Sequence, residues 1–305
     1  MSGDAREYRV IHATQYSYSD DVSVSYGRAH LLPRALGSPG GAGSMAGSGG
    51  QVVLTSDLDV DPGADELRSH TDFFGNVSTY YVVRQTHRAL RVTATSDVRI
   101  DRVAPTVDEL DTMTWESVRD RLADDVEARS FVLPSPLIEA HPAVAAYAAD
   151  TFAPGRPLGT TLVELIERIH TDFDYVSGST TVKTTLSEVL EKRRGVCQDF
   201  AHLAVGCLRA VGLPARYVSG YLETQPPPGQ PKLQGADASH AWAALRLPGL
   251  DWVDLDPTNN QLVDARYVVA GWGRDYSDVP PLKGVIMTDA KKSTLTVSVD
   301  VTRIG

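Results

Sequence analysis

The pattern of hydrophobic and polar positions changes near residue 101. Before this point, β-branched and aromatic side chains alternate roughly with polar ones, which is typical of strands that bury one face. The segments that show this alternation are residues 8–18, 51–55, 77–83 and 90–95. Phe74-Gly75-Asn76 lies between such segments as a turn. The pattern predicts a β-rich N-terminal domain over residues 1–101.

A glycine- and serine-rich stretch interrupts this domain at residues 37–50. It offers almost no side chains for burial, so we predict a mobile loop. The stretch lacks the GxxxxGK[ST] pattern of a phosphate-binding loop, and its glycine spacing fits no dinucleotide fingerprint. No ligand is therefore assigned to it.

Helical patterns replace the alternation after residue 101. Residues 102–155 predict an acidic, partly helical connector, with one helix beginning at His141-Pro142. A threonine followed three residues later by glutamate is the capping-box pattern, and it occurs at Thr161 and at Thr185. Each occurrence precedes an apolar-periodic segment, so we predict that a helix begins at each threonine.

The helix that begins at Thr185 is predicted to end near Arg194, with Gly195 as its C-terminal stop. A further helix is predicted over residues 197–211, ended by Gly212 and Pro214. These two predictions place residue 197 at the N-terminus of a helix.

Strand-like segments follow the helices, at residues 216–222, 240–247, 251–255 and 294–301. Pro248-Gly249 forms a tight turn between the second and third segments, which makes them an antiparallel pair. Helices followed by strands predict an α+β fold, with helices packed on an antiparallel sheet, rather than βαβ winding. We assign residues 156–305, including the last strand, to a C-terminal domain.

Composition and charge exclude several classes of partner. The 305 residues carry a formal net charge of −10, and the nearest approach to a basic run is residues 192–194, so nucleic acid is not expected as a partner. No apolar run approaches the ~18 residues of a membrane span, and no signal peptide is visible. The two cysteines, Cys197 and Cys207, lie about 15 Å apart if they share one helix, too far for a disulfide. These features predict a reduced, cytoplasmic protein.

Cys197 is the candidate nucleophile. At a helix N-terminus, unpaired N–H groups and the helix dipole favour a thiolate and offer donors to an oxyanion. Position alone leaves open the alternative that Cys197 is a small buried hydrophobic residue. Cys207 lies in the middle of the predicted helix beside Leu203 and Leu208, and we interpret it as a core residue.

A thiol nucleophile needs a base and a group that orients the base. Among the eight histidines, His240 opens an apolar strand directly after the polar loop 225–239, a position that can border a cleft. The antiparallel strand beside it carries Asp254 and Asp256 on one face, and spacing alone does not choose between them. Asp256 precedes a proline at the end of its strand, opposite the start of the His240 strand, and this geometry favours it.

Four motifs resemble, in order, those of the bacterial transglutaminase-like cysteine enzymes. They are Arg194-Gly-Val-Cys-Gln-Asp-Phe-Ala-His202, Ala215-Arg-Tyr-Val-Ser-Gly-Tyr221, Ala238-Ser-His-Ala-Trp242 and Trp252-Val-Asp-Leu-Asp-Pro-Thr-Asn259. The resemblance extends to residues 8–18, 31–34, 74–76 and 273–280, and so covers nearly the whole chain. It implies a papain-like, transglutaminase-like catalytic core preceded by a β-rich N-terminal module.

The resemblance implies that Cys197 is the nucleophile, His240 the base and Asp256 the residue that orients His240. The implied reaction is acyl transfer on an amide: the thiolate attacks a glutamine carboxamide or a peptide bond of a protein or peptide substrate, and a thioester forms. The Cys197 N–H group is an expected oxyanion donor, with Gln198 or Tyr175 as a candidate side-chain donor.

Other interpretations stay open on the sequence. With water as the acceptor, the same three residues make a cysteine peptidase or amidase. A non-catalytic binding module would be expected to lack a member of the triad, and all three are present. Trp242 is a candidate for the cleft wall, although core packing is the simpler interpretation of Trp242 and Tyr175. No metal or other cofactor is expected, because CxxC, HExxH and calcium-loop patterns are missing from the sequence.

Overall fold

The architecture is taken from a computed structural model that describes residues 5–37, 50–224, 239–249 and 252–305. The predictions for the glycine-rich stretch and for the loop after residue 224 concern residues 38–49 and 225–238, which lie outside the described residues. Two sheets and a layer of helices make up the rest.

The N-terminal sheet contains seven strands. They are β1 (Arg6–Ala29), β2 (Gly50–Asp61), β3 (Glu66–Thr71), β4 (Val77–Val83), β5 (His87–Asp101), β13 (Leu282–Thr288) and β14 (Ser293–Arg303). The second sheet is antiparallel, in the order β11-β10-β9-β8-β12. Its strands are β8 (Ala215–Leu222), β9 (Ser239–Arg246), β10 (Trp252–Asp256), β11 (Gln261–Leu262) and β12 (Tyr267–Gly273). Two short strands, β6 (Asp174–Tyr175) and β7 (Arg194–Gly195), form a separate parallel pair.

The described residues form seven helices, which follow β5 and precede β8 in the sequence. They are α1 (Val107–Leu110), α2 (Trp115–Arg121), α3 (Val126–Ser130), α4 (Pro142–Ala149), α5 (Leu158–Asp172), α6 (Leu186–Lys192) and α7 (Cys197–Ala210). The helix α7 packs on β9 and β8, and α5 packs on α7. The predicted α+β class, with helices packed on an antiparallel sheet after a β-rich region, is confirmed.

One apolar core joins the predicted connector to the C-terminal domain. Leu110, Trp115 and Val144 from the connector belong to the same buried cluster as Leu165 of α5 and Leu208 of α7. The helix α5 buries one face in this core, whereas α7 is buried on every side from Asp199 to Arg209. The connector is therefore part of the support of the second sheet.

The C-terminal strands return to the N-terminal sheet. The predicted strand at residues 294–301 is β14, and it pairs along β1 from Tyr8↔Arg303 to Tyr18↔Ser293. The strand β13 pairs with the other half of β1. The last strand is predicted to belong to the C-terminal domain, whereas its backbone partners lie in the N-terminal sheet. Alternation within one strand predicts that the strand exists but does not identify its neighbour.

Two predicted helix ends differ from the structure. The helix α5 begins at Leu158 rather than at Thr161, and the Thr161 hydroxyl donates to the Pro157 carbonyl 2.6 Å away. The capping box at Thr185 is confirmed. The helix α6 ends at Lys192, and Arg193 rather than Gly195 takes the left-handed conformation, with φ of 49°.

In the described parts of the chain, none of the helices combines the length and apolarity needed to cross a bilayer. The cytoplasmic location stays a prediction, because the fold carries no information about the compartment.

Candidate active site

The helix α7 presents Cys197 as its first residue, at the edge of a cavity. The Asp199 carboxylate accepts the Val196 N–H at 2.8 Å and the Thr180 hydroxyl at 2.6 Å, which fixes the start of the helix. Gly195 has no side chain because a Cβ there would lie 2.8 Å from the Asp199 Cβ. The sequence around residue 195 is thus explained by close packing against the helix start rather than by a helix stop.

His240 and Asp256 meet across the β9–β10 pair. The His240 Nε2 and the Asp256 Oδ2 are 2.7 Å apart, and the carboxylate is fully buried. Because Nε2 is engaged with Asp256, Nδ1 is the imidazole nitrogen left for the thiol. A hydrogen bond between Cys197 and His240 is among the interactions that raise the pKa of His240. The structure therefore brings together the three residues that sequence reasoning selected.

The Asp256 carboxylate accepts hydrogen bonds from five donors. Besides His240, the Tyr267 hydroxyl donates at 2.6 Å and the Asn259 side-chain amide at 2.7 Å. The backbone N–H groups of Thr258 and Asn259 donate to the other oxygen at 2.9 and 3.2 Å. A buried carboxylate is stable in its charged form when it is hydrogen-bonded in this way. The network fixes both the charge and the direction of Asp256.

The pKa values of the pair follow from this network. Burial lowers the pKa of His240, but the hydrogen bond and charge of Asp256, with a further contribution from Cys197, outweigh burial and raise it to about 10. Burial raises the pKa of Asp256, but His240, Asn259 and Tyr267 together lower it below its ordinary value. The imidazole is consequently held as an imidazolium beside the thiol.

Asp254, the other carboxylate that spacing allowed, has different partners. It accepts the Trp242 indole N–H at 3.1 Å and lies 3.7 Å from an Arg102 nitrogen. It makes no contact with His240 within the described network. The choice of Asp256 by strand geometry and by resemblance agrees with the observed positions.

The cavity beside Cys197 has a volume of about 270 Å³ and is enclosed by both sheets. We call it the Cys197 cavity. From the second sheet and α7 it is lined by Cys197, Gln198, Tyr217, Ser219 and His240. The N-terminal sheet adds a wall of β1 and β14 side chains, His12, Thr14, Tyr16, Leu295 and Val297. The N-terminal domain is thus part of the surface that a substrate would touch.

The three remaining candidates occupy different places. Gln198 lines the Cys197 cavity, as expected of an oxyanion donor. Tyr175 is 57% exposed as a residue and packs edge-on against Phe200. Its hydroxyl is partly desolvated and lies near Cys197, and both effects raise the pKa of the hydroxyl. Trp242 is fully buried and does not line the cavity; its ring lies 6.1 Å from the His240 ring. Trp242 supports the imidazole from inside the core, so the cleft-wall interpretation is corrected.

Sequence reasoning missed Asn259 and Tyr267. Asn259 was detectable, because an aspartate that accepts the N–H groups two and three residues later forms a local turn, and Asp256-Pro-Thr-Asn has that spacing. Tyr267 comes from β12, beyond a separate turn, and nothing in its neighbourhood in the sequence marks it. Among the described residues, no group of three or more metal-ligating side chains is found.

Comparisons with known proteins support the assignment of the fold and of the region that holds the site. Residues 145–257 match the transglutaminase-like superfamily, and residues 8–99 match the bacterial transglutaminase-like N-terminal region. An uncharacterized protein of Mycobacterium tuberculosis is 47% identical over 310 aligned positions, which cover 99% of this chain and 94% of that protein.

Two further comparisons concern proteins whose names carry an activity. The crystal structure of a candidate cysteine protease from Cytophaga hutchinsonii aligns with a TM-score of 0.75 at 20% identity, covering 100% of this chain and 93% of that one. A protein-glutamine gamma-glutamyltransferase of Pseudomonas aeruginosa is 35% identical over 71 residues, 23% of this chain and 11% of that protein. The first likeness is one of fold, and the second covers a small part of the enzyme.

Proposed function

Because the chain belongs to the transglutaminase-like superfamily, we propose that it is a cysteine-dependent acyl-transfer enzyme acting on amides of protein or peptide substrates. The observation that carries the proposal is the contact between the His240 imidazole and the five-donor carboxylate of Asp256, beside Cys197 at the start of α7. This arrangement provides a nucleophile, a proton carrier and a residue that orients the carrier.

In the first half of the reaction, the Cys197 thiolate attacks the carbonyl carbon of an amide, and the carbonyl π electrons move to oxygen. The Cys197 N–H group has no acceptor inside its own helix and stabilises the oxyanion, with Gln198 as a second donor. The His240 imidazolium donates its proton to the amide nitrogen. The C–N bond then breaks, ammonia or an amine leaves, and a thioester remains on Cys197.

In the second half, an acceptor attacks the thioester carbon while the neutral His240 takes its proton. The C–S bond breaks, the thiolate leaves, and the imidazolium is restored. A lysine amine as acceptor gives a cross-link or a transferred acyl group. Water as acceptor gives hydrolysis, which is the second candidate function. We test hydrolysis as well, because the fold is similar to that of a candidate cysteine protease. The short match to a glutamyltransferase favours transfer from glutamine.

The test offers both acceptors to the full-length protein at once. A casein-like substrate is incubated with a labelled primary amine, and amine incorporation, ammonia release and new peptide termini are followed together. The proposal predicts incorporation with equimolar ammonia and loss of both in Cys197→Ala. New termini without incorporation would assign the enzyme to the peptidases, and ammonia without incorporation to the amidases.

The matched control is Cys207→Ala. Cys207 lies on the same helix but is fully buried, and it does not line the Cys197 cavity. Activity at a level comparable to wild type in Cys207→Ala, with loss in Cys197→Ala, attributes the reaction to one thiol. Equal behaviour of wild type and Cys197→Ala over a panel of amide substrates would overturn the enzymatic proposal.

A further inference from the structure

A second cavity, of about 970 Å³, lies where the loops of the N-terminal sheet, α3 and the second sheet meet. Four arginines line it: Arg34, Arg102, Arg216 and Arg246. We call it the arginine pocket. It shares no lining residue with the Cys197 cavity. The proposed acyl transfer therefore gives no account of it.

The arginines are arranged around two tryptophans. The Arg216 guanidinium lies between Trp272 and Trp252, at 3.6 and 4.0 Å from the ring centroids. The Arg34 guanidinium lies 3.4 Å from the Trp272 centroid. Cation–π contacts occupy the flat faces of the guanidinium groups. The N–H groups at the edges point away from the rings; Arg34 Nη1 already donates to the Phe74 carbonyl at 2.7 Å and to Asn76 Oδ1 at 2.9 Å.

Several of these N–H donors are buried without an acceptor. Within the described residues, Arg216 Nε, Arg102 Nη1 and Arg34 Nε have no hydrogen-bond partner. Arg216 and Arg102 are each only 5% exposed. A buried donor without a hydrogen-bond acceptor costs free energy, even where a carboxylate lies nearby as Asp254 does 3.7 Å from Arg102 Nη1. An arrangement of this kind is explained if the missing acceptor is a ligand.

Local carboxylates do not balance the charge of the pocket. Asp254 lies 3.7 Å from Arg102 and already accepts the Trp242 indole N–H; Glu127 is the other acidic residue of the described lining. Four cationic side chains therefore face two carboxylates. Burial lowers the pKa of Arg216 well below its ordinary value, Asp254 raises it, and the neighbouring arginines lower it further.

The rim of the same pocket is apolar. Phe73 is 91% exposed and Val126 is 83% exposed, more than any other large hydrophobic residue of the described chain. Both lie at the mouth of a cavity whose interior is cationic. Sites for small organic molecules combine apolar and aromatic side chains with a few placed polar or charged groups, and the volume of the arginine pocket lies within their usual range.

We propose that the arginine pocket binds an organic anion with a carboxylate or phosphate head and an apolar body. The head accepts the free N–H groups of Arg216 and Arg102, since arginine matches planar or tetrahedral oxyanions with paired N–H donors. The body lies against Phe73 and Val126. The chemistry common to both heads is an oxyanion with at least two acceptor oxygens.

The test is a titration of the full-length protein by calorimetry and by tryptophan fluorescence, because Trp252 and Trp272 line the pocket. The probes are inorganic phosphate, hexyl phosphate, acetate and hexanoate, at constant ionic strength with chloride as the balancing anion. We expect saturable binding. Hexyl phosphate should bind at least about tenfold more tightly than inorganic phosphate, and hexanoate at least about tenfold more tightly than acetate. If the two phosphate probes bind more tightly than the two carboxylate probes, the head group is a phosphate; the reverse order identifies a carboxylate.

Variants locate the site. Arg246→Gln removes one of the four positive charges that line the pocket, so it is expected to weaken all probes by about tenfold or more. Phe73→Ala is expected to weaken only the two six-carbon probes. Arg121→Gln is the control, because Arg121 is exposed on α2 and does not line the pocket. Arg216→Met is a second variant, used if its thermal unfolding stays cooperative. Binding should be unchanged in Cys197→Ala, which separates this site from the proposed catalytic one.

Two results would overturn the proposal. One is a titration in which every probe behaves like chloride, without saturation. The other is an equal loss of affinity in Arg246→Gln and Arg121→Gln, which would show binding to surface charge rather than to the pocket.

Discussion

Asp254 and Asp256 lie on one strand but face two different regions. In the region of Asp256 the buried polar groups are hydrogen-bonded, whereas in the region of Asp254 several are not. Asp256 is fully buried and accepts five hydrogen bonds, including one from His240. Asp254 faces the arginine pocket, where three buried arginine N–H donors have no hydrogen-bond partner among the described residues. A complete network holds a group in one charge state and direction, whereas an incomplete one has capacity for a ligand. This difference is the reason that we propose chemistry at the first region and ligand binding at the second.

The largest expected effect separates the two aspartates by activity. Asp256→Asn should lower kcat/KM by about 10²–10⁴-fold, because asparagine cannot supply the charge that stabilises the His240 imidazolium. Asp254→Asn should change it by less than about tenfold, since asparagine still offers an oxygen to Trp242. The measurement is the initial rate of amine incorporation. Similar losses in both variants would contradict the division of roles.

The second prediction concerns stability and pH. Folded His240 keeps its proton to about pH 10, while the unfolded chain releases it near 6.5. The folded state therefore binds more protons in this window, so the contribution of His240 is complete below pH 6.5 and is lost as the pH rises towards 10. Each unit of pKa shift corresponds to about 1.4 kcal/mol, so we expect a loss on the order of 5 kcal/mol in the free energy of unfolding across the window.

The control for this pH experiment is made in a Cys197→Ala background, so that no thiol titrates beside His240. Cys197→Ala is compared with Cys197→Ala/His240→Gln by urea unfolding between pH 6 and pH 10. In Cys197→Ala, the loss of unfolding free energy should be complete at a lower pH than in wild type, because Cys197 no longer raises the pKa of His240. Parallel curves for the two proteins would show that His240 is not the titrating group.

Removing a carboxylate from the arginine pocket should tighten the binding of anions. Asp254→Asn leaves the four arginines with Glu127 as the one acidic residue of the described lining. We expect the affinity for hexyl phosphate to rise by about three- to tenfold, since each unit of charge at close range contributes on the order of 1 kcal/mol in a partly solvated site. Calorimetry of Asp254→Asn beside wild type checks it. A weaker affinity would mean that Asp254 positions the arginines.

An effect of similarly small size tests how much one of the five donors to Asp256 contributes. Tyr267→Phe removes the hydroxyl at 2.6 Å and leaves His240, Asn259 and the two backbone groups in place. Because the carboxylate stays hydrogen-bonded, we predict a loss of about three- to tenfold in kcat/KM. The rate in the Tyr267→Phe variant is compared with that of wild type at several pH values, since a changed pKa of the Asp256–His240 pair would move the profile while a purely structural change would not.

Much of this organisation could be predicted from the sequence, and the misses share a cause. Hydrophobic periodicity predicted β4, β14 and α7, and glycine and proline placed the end of α7, because these signals act within a few residues. The pairing of β14 with β1 depends on residues almost 300 positions apart, so alternation could not identify it. The start of α5 was displaced for a related reason, since burial of Leu158 in the core decided it rather than a local cap.

The candidate site divides in the same way. Cys197, His240 and Asp256 could be selected from helix position, the hairpin and a family resemblance. Tyr267 could not, because it reaches Asp256 from another strand. The arginine pocket could not be predicted, because its four arginines are far apart in the sequence and lie close together only in the folded chain.

The central claim is that Asp256 holds His240 as an imidazolium beside a reactive Cys197, and alkylation tests it most directly. The full-length protein is treated with iodoacetamide between pH 5 and pH 9, and the two cysteines are followed by mass spectrometry. Cys207 is the internal control, because burial raises the pKa of its thiol to about 12. We predict rapid modification of Cys197 alone at pH 6, slowed at least tenfold in Asp256→Asn. A rate at Cys197 that follows that of an ordinary free thiol, and that Asp256→Asn leaves unchanged, would contradict the account.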